Sequence, residues 1–151
     1  MNSNIKIKKI NNEISSILID EPKTYNALSF QNLNDLIKAF KKLDNDKNVK
    51  VIILEGAGNG FSAGHNLKEV KGLKTRGKYL KLFNLCSKLM MQIVEGRKPV
   101  IAKVHGAAFA AGCQLVASCD LAYSTKDAIF ATPGVNLGLF AALRWLLLSG
   151  K

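Results

Sequence analysis

Cysteine is scarce in this sequence, and what there is does not pair off. Cys86, Cys113 and Cys119 are the only three, too few for a disulfide scaffold, and the odd count points to a reducing compartment. Arginine is scarcer than the charge suggests. The 22 basic residues give a formal charge of +11, yet only Arg76, Arg97 and Arg144 carry the planar fork that reads base edges and phosphates. The lysines fall in short scattered groups such as Lys6-Lys8-Lys9 and Lys41-Lys42, with no aromatic residues interleaved along a basic stripe. A lysine-rich solvated surface, rather than a nucleic-acid interface, is the reading this pattern supports. Long apolar runs are missing too. The uncharged stretch 104–119 is too short for a membrane span, and the Met1-Asn2-Ser3-Asn4 start has no apolar core of a secretory leader. Together these absences lead to the expectation of a cytoplasmic protein with neither a membrane nor a nucleic-acid partner. At 151 residues and 48% hydrophobic composition, the chain has room for one core of ordinary size.

The residues present divide into strands and helices in alternation. Ile5, Ile7 and Ile10, then Ile14, Ile17 and Ile19 beyond Asn11-Asn12, predict a hairpin. Ser29 is placed to cap a helix through Leu33, Leu36, Ile37 and Phe40. Lys50 to Glu55 reads as a buried strand, and Leu80, Phe83, Leu85, Leu89 and Ile93 mark a long helix that closes before Pro99. Further strands are expected at 100–104, 121–123 and 128–131, with a helix in the later part of 107–117. This alternation predicts an α/β fold with parallel pairing. No repeat, low-complexity region or linker interrupts it.

Several motifs fail on inspection. Gly56-Ala57-Gly58-Asn59-Gly60 is followed by Phe61 where a dinucleotide fingerprint needs glycine, and no G-K-[ST] follows for a phosphate loop. His105, Cys113 and Cys119 have no metal-ligand spacing, so no metal is expected. A Cys–His hydrolase on Cys113 lacks a polar environment that would lower the thiol pKa. What remains is two small-residue loops, each after a buried strand: 61–68 (F-S-A-G-H-N-L-K) and 105–114 (H-G-A-A-F-A-A-G-C-Q). Such loops let a ligand approach main-chain N–H groups, and a helix starting near Ala111 would add the positive end of its dipole. That is suited to holding a developing oxyanion. Close packing of helix on sheet explains the same composition equally well, and spacing alone does not choose.

The two loops in order resemble the signature regions of the crotonase superfamily, the enoyl-CoA hydratases and isomerases. The second runs as I-A-K-V-H-G-A-A-F-A-A-G-C-Q-L-V-A-S-C-D over 101–120. Glu21-Pro22 with Asn26-Ala27-Leu28, C-S-K-L-M-M from Cys86, and F-A-T-P-G-V-N-L-G-L-F from Phe130 support the match. The resemblance implies a spiral of ββα units forming two nearly perpendicular sheets, followed in the family by helices that build a trimer. It implies an acyl-CoA ligand in fatty acid metabolism, with coenzyme A arriving as part of the substrate and no separate cofactor. By position, the oxyanion-hole donors fall on the backbone N–H groups of His65 and Ala111. Ala63, Gly64, His65, Asn66, Leu67 and Lys68 would contact substrate, with Lys68 and Lys23 near the phosphates.

Hydration by this family uses two glutamates, and the matching positions here are Gln114 and Gly134. A glutamine amide does not titrate near neutral pH, and glycine has no side chain. The sequence therefore favours thioester binding with carbonyl polarisation over standard hydratase turnover. Isomerase, lyase and thioester-hydrolysing activities stay open, as do a non-catalytic acyl-CoA-binding or regulatory subunit and an inactive truncated fragment. The domain reading is an incomplete core over 1–140 and a short apolar helical tail over 141–151. That shortening would remove most of the trimerising region, leaving a homo-oligomer in question.

Overall fold

In the computed structural model, which describes residues 3–134, strand β1 (Ile5–Lys9) turns back on β2 (Ile14–Ile19) in an antiparallel pair. Asn11 shapes the turn: its Oδ1 accepts from the N–H groups of Glu13 and Ile14, both at 2.8 Å. A short 3-10 turn, Pro22–Thr24, leads to α1 (Phe30–Asn45). Ser29 caps α1 by accepting from Asn32 N–H, satisfying a donor that the helix itself leaves free. Leu33, Leu36, Phe40 and Leu43 then recur on one buried face, as helical spacing requires.

From here the chain repeats one manoeuvre. A strand in a large sheet is followed by a short strand in a small one, and a helix returns the chain. β3 (Val51–Gly56) gives way to β4 (Gly60–Ser62), α2 (Leu67–Gly72) and α3 (Arg76–Val94). β5 (Val100–Val104) gives way to β6 (Ala107–Phe109) and α4 (Ala111–Ser118). β7 (Leu121–Ser124) gives way to β8 (Ile129–Ala131). The large sheet is ordered β1-β2-β3-β5-β7 and the small one β4-β6-β8. All pairings after the opening hairpin are parallel. Because successive turns add neighbouring strands to both sheets, the path is a spiral of the kind expected from the family resemblance.

The core lies where α1 packs on β1 and β2 and α3 packs on α1 and α4, joining Ile17, Leu54, Leu82, Leu89 and Leu115, all nearly inaccessible. Each such side chain contributes about 1.5–3 kcal/mol relative to exposure. Hairpin, α1, β3, α3 and β5 thus lie where the hydrophobic periodicity predicts them. Three short elements, β4, α2 and β6, were not anticipated. Leu80, one of the residues that mark α3, is 49% exposed, because it lies about 180° around the helix from buried Leu89. The tail over 141–151 and the motif residues from 135 onward lie outside the described residues.

Candidate functional site

The first loop leaves β4 as Ala63-Gly64-His65 and enters α2 through Asn66. At Gly64 the chain adopts φ +85°, a conformation that side chains resist. Polar groups fix this turn from several directions. Ala63 N–H donates to Tyr25 O at 2.9 Å and Leu28 N–H donates to Gly64 O at 2.8 Å. Ser62 Oγ donates to Asn26 O at 2.9 Å and accepts from Gly64 N–H at 3.3 Å. Asn66 caps α2, its Oδ1 accepting from Lys68 N–H at 3.0 Å and Glu69 N–H at 3.3 Å. Glu69 in turn accepts from Phe30 N–H at 2.9 Å, tying α2 to the start of α1. Among the described residues, no protein acceptor faces His65 N–H.

The second loop brings β6 to α4 through Ala110, held at φ 48° and ψ −118°, an unusual backbone for a residue with a Cβ. Ala110 N–H donates to Ala131 O at 2.8 Å, and Ala110 O accepts the first helical bond, from Gln114 N–H, at 3.0 Å. The N–H groups of Ala111, Gly112 and Cys113 therefore precede the helix's own hydrogen bonding, and no side chain caps them. They sit at the positive end of the α4 dipole.

Glycine brings the two loops into contact. A Cβ at Gly64 would stand 2.8 Å from Phe109 O and 3.0 Å from Ala111 N, while one at Gly112 would collide with Ser62 O. Gly64 precedes His65 in the chain, so the free N–H groups of His65 and Ala111 belong to adjoining backbone.

The His65 side chain is half-buried. Its ring meets Phe83 of α3 edge-on, with centroids 5.4 Å apart and an interplanar angle of 85°, and its Nδ1 is buried without a partner. Burial pushes its pKa below the ordinary 6.5, with a smaller opposing contribution from the Leu28 main chain. Of the other predicted residues, Gln114 lies half-buried in the first turn of α4, and Gly134, also half-buried, is the last described residue. Leu67, Lys68 and Lys23 are exposed, Lys68 on α2 and Lys23 on the 3-10 turn. Neither lysine enters an ion pair among the described residues. His105, weighed as a metal ligand, instead bonds Gly58 O through Nε2 at 2.7 Å. Burial pushes the Cys113 thiol up, opposite to what a nucleophile needs.

Sequence reasoning missed the polar frame beneath the first loop. Asn26 is fully buried: its Oδ1 accepts from Glu21 N–H at 3.0 Å, and its Nδ2 donates to Ala57 O and Gly60 O, both at 2.8 Å. Asn32, equally buried, donates to Glu21 Oε2 at 2.6 Å and Ala27 O at 2.8 Å. Asn26 has φ 56°, where asparagine is enriched among non-glycine residues. Its place beside Pro22 and ahead of a helix cap was the available signal.

The spiral of paired sheets, with two glycine-paired loops at its centre, has close counterparts. The profile of the enoyl-CoA hydratase/isomerase family matches residues 9–148, and the chain belongs to that family. Enoyl-CoA hydratase domain-containing protein 3, mitochondrial, from Xenopus laevis is 46% identical over 129 residues, covering 85% of this chain and 44% of the relative. The crystal structure of an enoyl-CoA hydratase from Mycobacterium smegmatis superposes with a TM-score of 0.91 at 40% identity, covering 99% of this chain and 60% of that one. That of human enoyl-CoA hydratase domain-containing protein 3 gives 0.88 at 40% identity, covering 97% and 57%. The fold is the crotonase fold, and the chain spans less than half the length of the frog relative.

One expectation is corrected by these relatives. The chain was expected to be cytoplasmic, but the frog, rat and human relatives are named as mitochondrial proteins. Three cysteines, an odd and small number, point to reducing rather than oxidising surroundings. They do not separate one reducing compartment from another.

Proposed function

We propose that this chain binds an acyl-CoA and polarises its thioester carbonyl between the N–H groups of His65 and Ala111. The observation that carries this reading is the close backbone packing at Gly64, where an added Cβ would stand 3.0 Å from Ala111 N, beside two main-chain donors, His65 and Ala111 N–H, that have no protein acceptor among the described residues. Donors fixed before the ligand arrives need no reorganisation as negative charge develops on the carbonyl oxygen. The α4 dipole adds to their pull. Polarisation by main-chain groups asks for no separate cofactor, and coenzyme A enters as part of the ligand. Exposed Lys68 and Lys23 are available for its phosphates, and the family points to fatty acid metabolism.

Hydratase turnover is not part of the proposal. Gln114 occupies the first turn of α4, next to the Ala111 donor, but an amide cannot take a proton from water, and Gly134 offers nothing in its place. General acid–base catalysis contributes about 10²–10⁴-fold, which this chain forgoes for hydration. The same observation favours a second reading, in which the chain holds an acyl-CoA without turning it over. Isomerase or lyase chemistry would require a proton acceptor other than these two positions.

Calorimetric titration with crotonyl-CoA, together with the ultraviolet absorbance of its enone thioester, tests both readings. Saturable binding is expected, with hydration slower than typical enzymes by about 10²–10⁴-fold. Fast hydration would overturn the role assigned to Gln114, and absence of binding would overturn the donor pair. Gain of hydration in a Gln114→Glu, Gly134→Glu double variant would show a working cradle that lacks only acid–base groups.

A further inference from the structure

We propose that a groove between the N-terminal turns of α1 and α3 binds a linear anionic amphiphile, a medium- to long-chain fatty carboxylate. The groove, which lies open to solvent, offers about 920 Å³, within the size range of small-molecule sites. Its floor is apolar: Phe30 from α1, Leu73 from the loop before α3, and Leu80 and Leu85 from α3. Leu80, off the buried face of α3, is the exposed part of that floor.

The rim is cationic. Lys78, Lys81 and Lys88 line it, with Asn34 and Asn84 as the neutral polar groups and no carboxylate. None of the three lysines enters an ion pair among the described residues. The helix terminus adds to the excess: the first turn of α3 contains no acidic residue to offset the positive end of its dipole. Two of the three lysines, Lys78 and Lys81, thus stand with the helix terminus at one end of an apolar trough, beside Gly77, where an added Cβ would meet nothing within 4 Å. A carboxylate head fits against Lys78 and Lys81, and its chain lies along Leu80, Leu85 and Phe30. Lys78 and Lys88 stand about 15 Å apart along the helix axis, so the trough is long enough for an extended chain. The stem of Lys88 can cover the far end while its ammonium stays in water.

This trough is distinct from the thioester site. Phe83, which touches His65, lies about 130° around α3 from the line through Gly77, Lys81, Asn84 and Lys88, and about 60° from Leu80 at the trough's nearer edge. The inference therefore stands whether or not the donor pair binds acyl-CoA.

Titration of the chain with [1-¹³C]dodecanoate below its micellar threshold, followed through the carboxyl resonance, is the test. One saturable site per chain is expected, weakening as salt rises and persisting in saturating crotonyl-CoA. A Lys78→Glu, Lys81→Glu double variant should weaken it by about tenfold or more. Gly77→Leu should block it while circular dichroism melting shows an intact fold, since leucine favours the helix over glycine. Octyl glucoside, an uncharged amphiphile, should bind about tenfold more weakly than dodecanoate. Displacement by crotonyl-CoA would assign dodecanoate to the thioester site and overturn the proposal. So would binding indifferent to both variants, no saturation at all, or attachment to anionic vesicles without binding of the free carboxylate.

Discussion

The turn at 63–66 is held by hydrogen bonds that reach it from β4, from the 25–28 segment and through its own helix cap, whereas the turn at 106–112 is held by backbone lying against backbone. Side chains do much of the work in the first: Asn66 caps α2, and Ser62 and, one layer down, Asn26 and Asn32 satisfy main-chain groups that would otherwise be buried unpaired. Between Gly106 and Gly112 no side chain donates or accepts among the described residues. That segment instead relies on main-chain bonds to β8 and on the absence of Cβ atoms facing Asn59 and Ser62. The two constructions meet where Gly64 and Gly112 face the backbone of the opposite loop. Fixing a backbone by polar partners demands particular functional groups but tolerates volume. Fixing it by contact tolerates no added volume.

The largest effect is accordingly expected from a single methyl in the second turn. Gly112→Ala drives a Cβ into Ser62 O and to 2.9 Å from Ser62 Cβ, neither of which can swing away as a long side chain could. Overpacking of this kind costs about 3 kcal/mol. In a domain of this size that lowers the melting temperature by about 6–12 °C. A loss below about 1 kcal/mol would show that the two loops have room to separate, and the contact account of the second turn would fail.

Asn26→Ala is the matching test of the first turn, with a cost of about 2 kcal/mol expected in chemical denaturation. It leaves Ala57 O and Gly60 O without their Nδ2 donor and places alanine at φ 56°. Asn26→Asp restores the acceptor for Glu21 N–H but not the donor, and should recover only part of that loss. Full recovery by aspartate would assign the effect to backbone conformation rather than to the paired carbonyls.

The contrast also explains which parts were legible in the sequence. Helices α1 and α3 and strands β3 and β5 bury broad apolar faces, and burial writes itself into a sequence as periodicity. Ser29 was legible as a cap because capping is local. Strands β4 and β6 are three residues each, too short for any period, and they exist because each pairs with its neighbour in the small sheet. α2 is six residues long, and its cap is Asn66, a residue first singled out for the ligand. The loops themselves were found through glycine and alanine content, which could not distinguish a ligand cradle from close packing. The structure shows packing at Gly64 and Gly112, where an added Cβ would crowd Phe109 O, Ala111 N and Ser62 O. Asn26 and Asn32 went unassigned because their partners lie up to 34 positions away in the chain.

The smallest effect expected separates the two turns by pH. No residue from Gly106 to Gly112 is ionisable, while the first turn carries His65, whose burial holds its pKa below 6.5. Above 6.5 the ring is neutral in both folded and unfolded chains and contributes no pH dependence. As pH falls through 6.5 the unfolded chain takes up a proton that the folded chain resists, so stability declines. The decline levels off once pH passes the lower value of the folded ring. Melting temperatures measured from about pH 8 to about pH 5 should show this slope in the unaltered chain. His65→Phe, which keeps an aromatic edge against Phe83, should reduce it. Gly112→Ala should lower the whole profile without changing its shape, because the contact it disturbs carries no proton. A slope that survives His65→Phe intact would place the acid sensitivity elsewhere and leave both turns equally indifferent to pH.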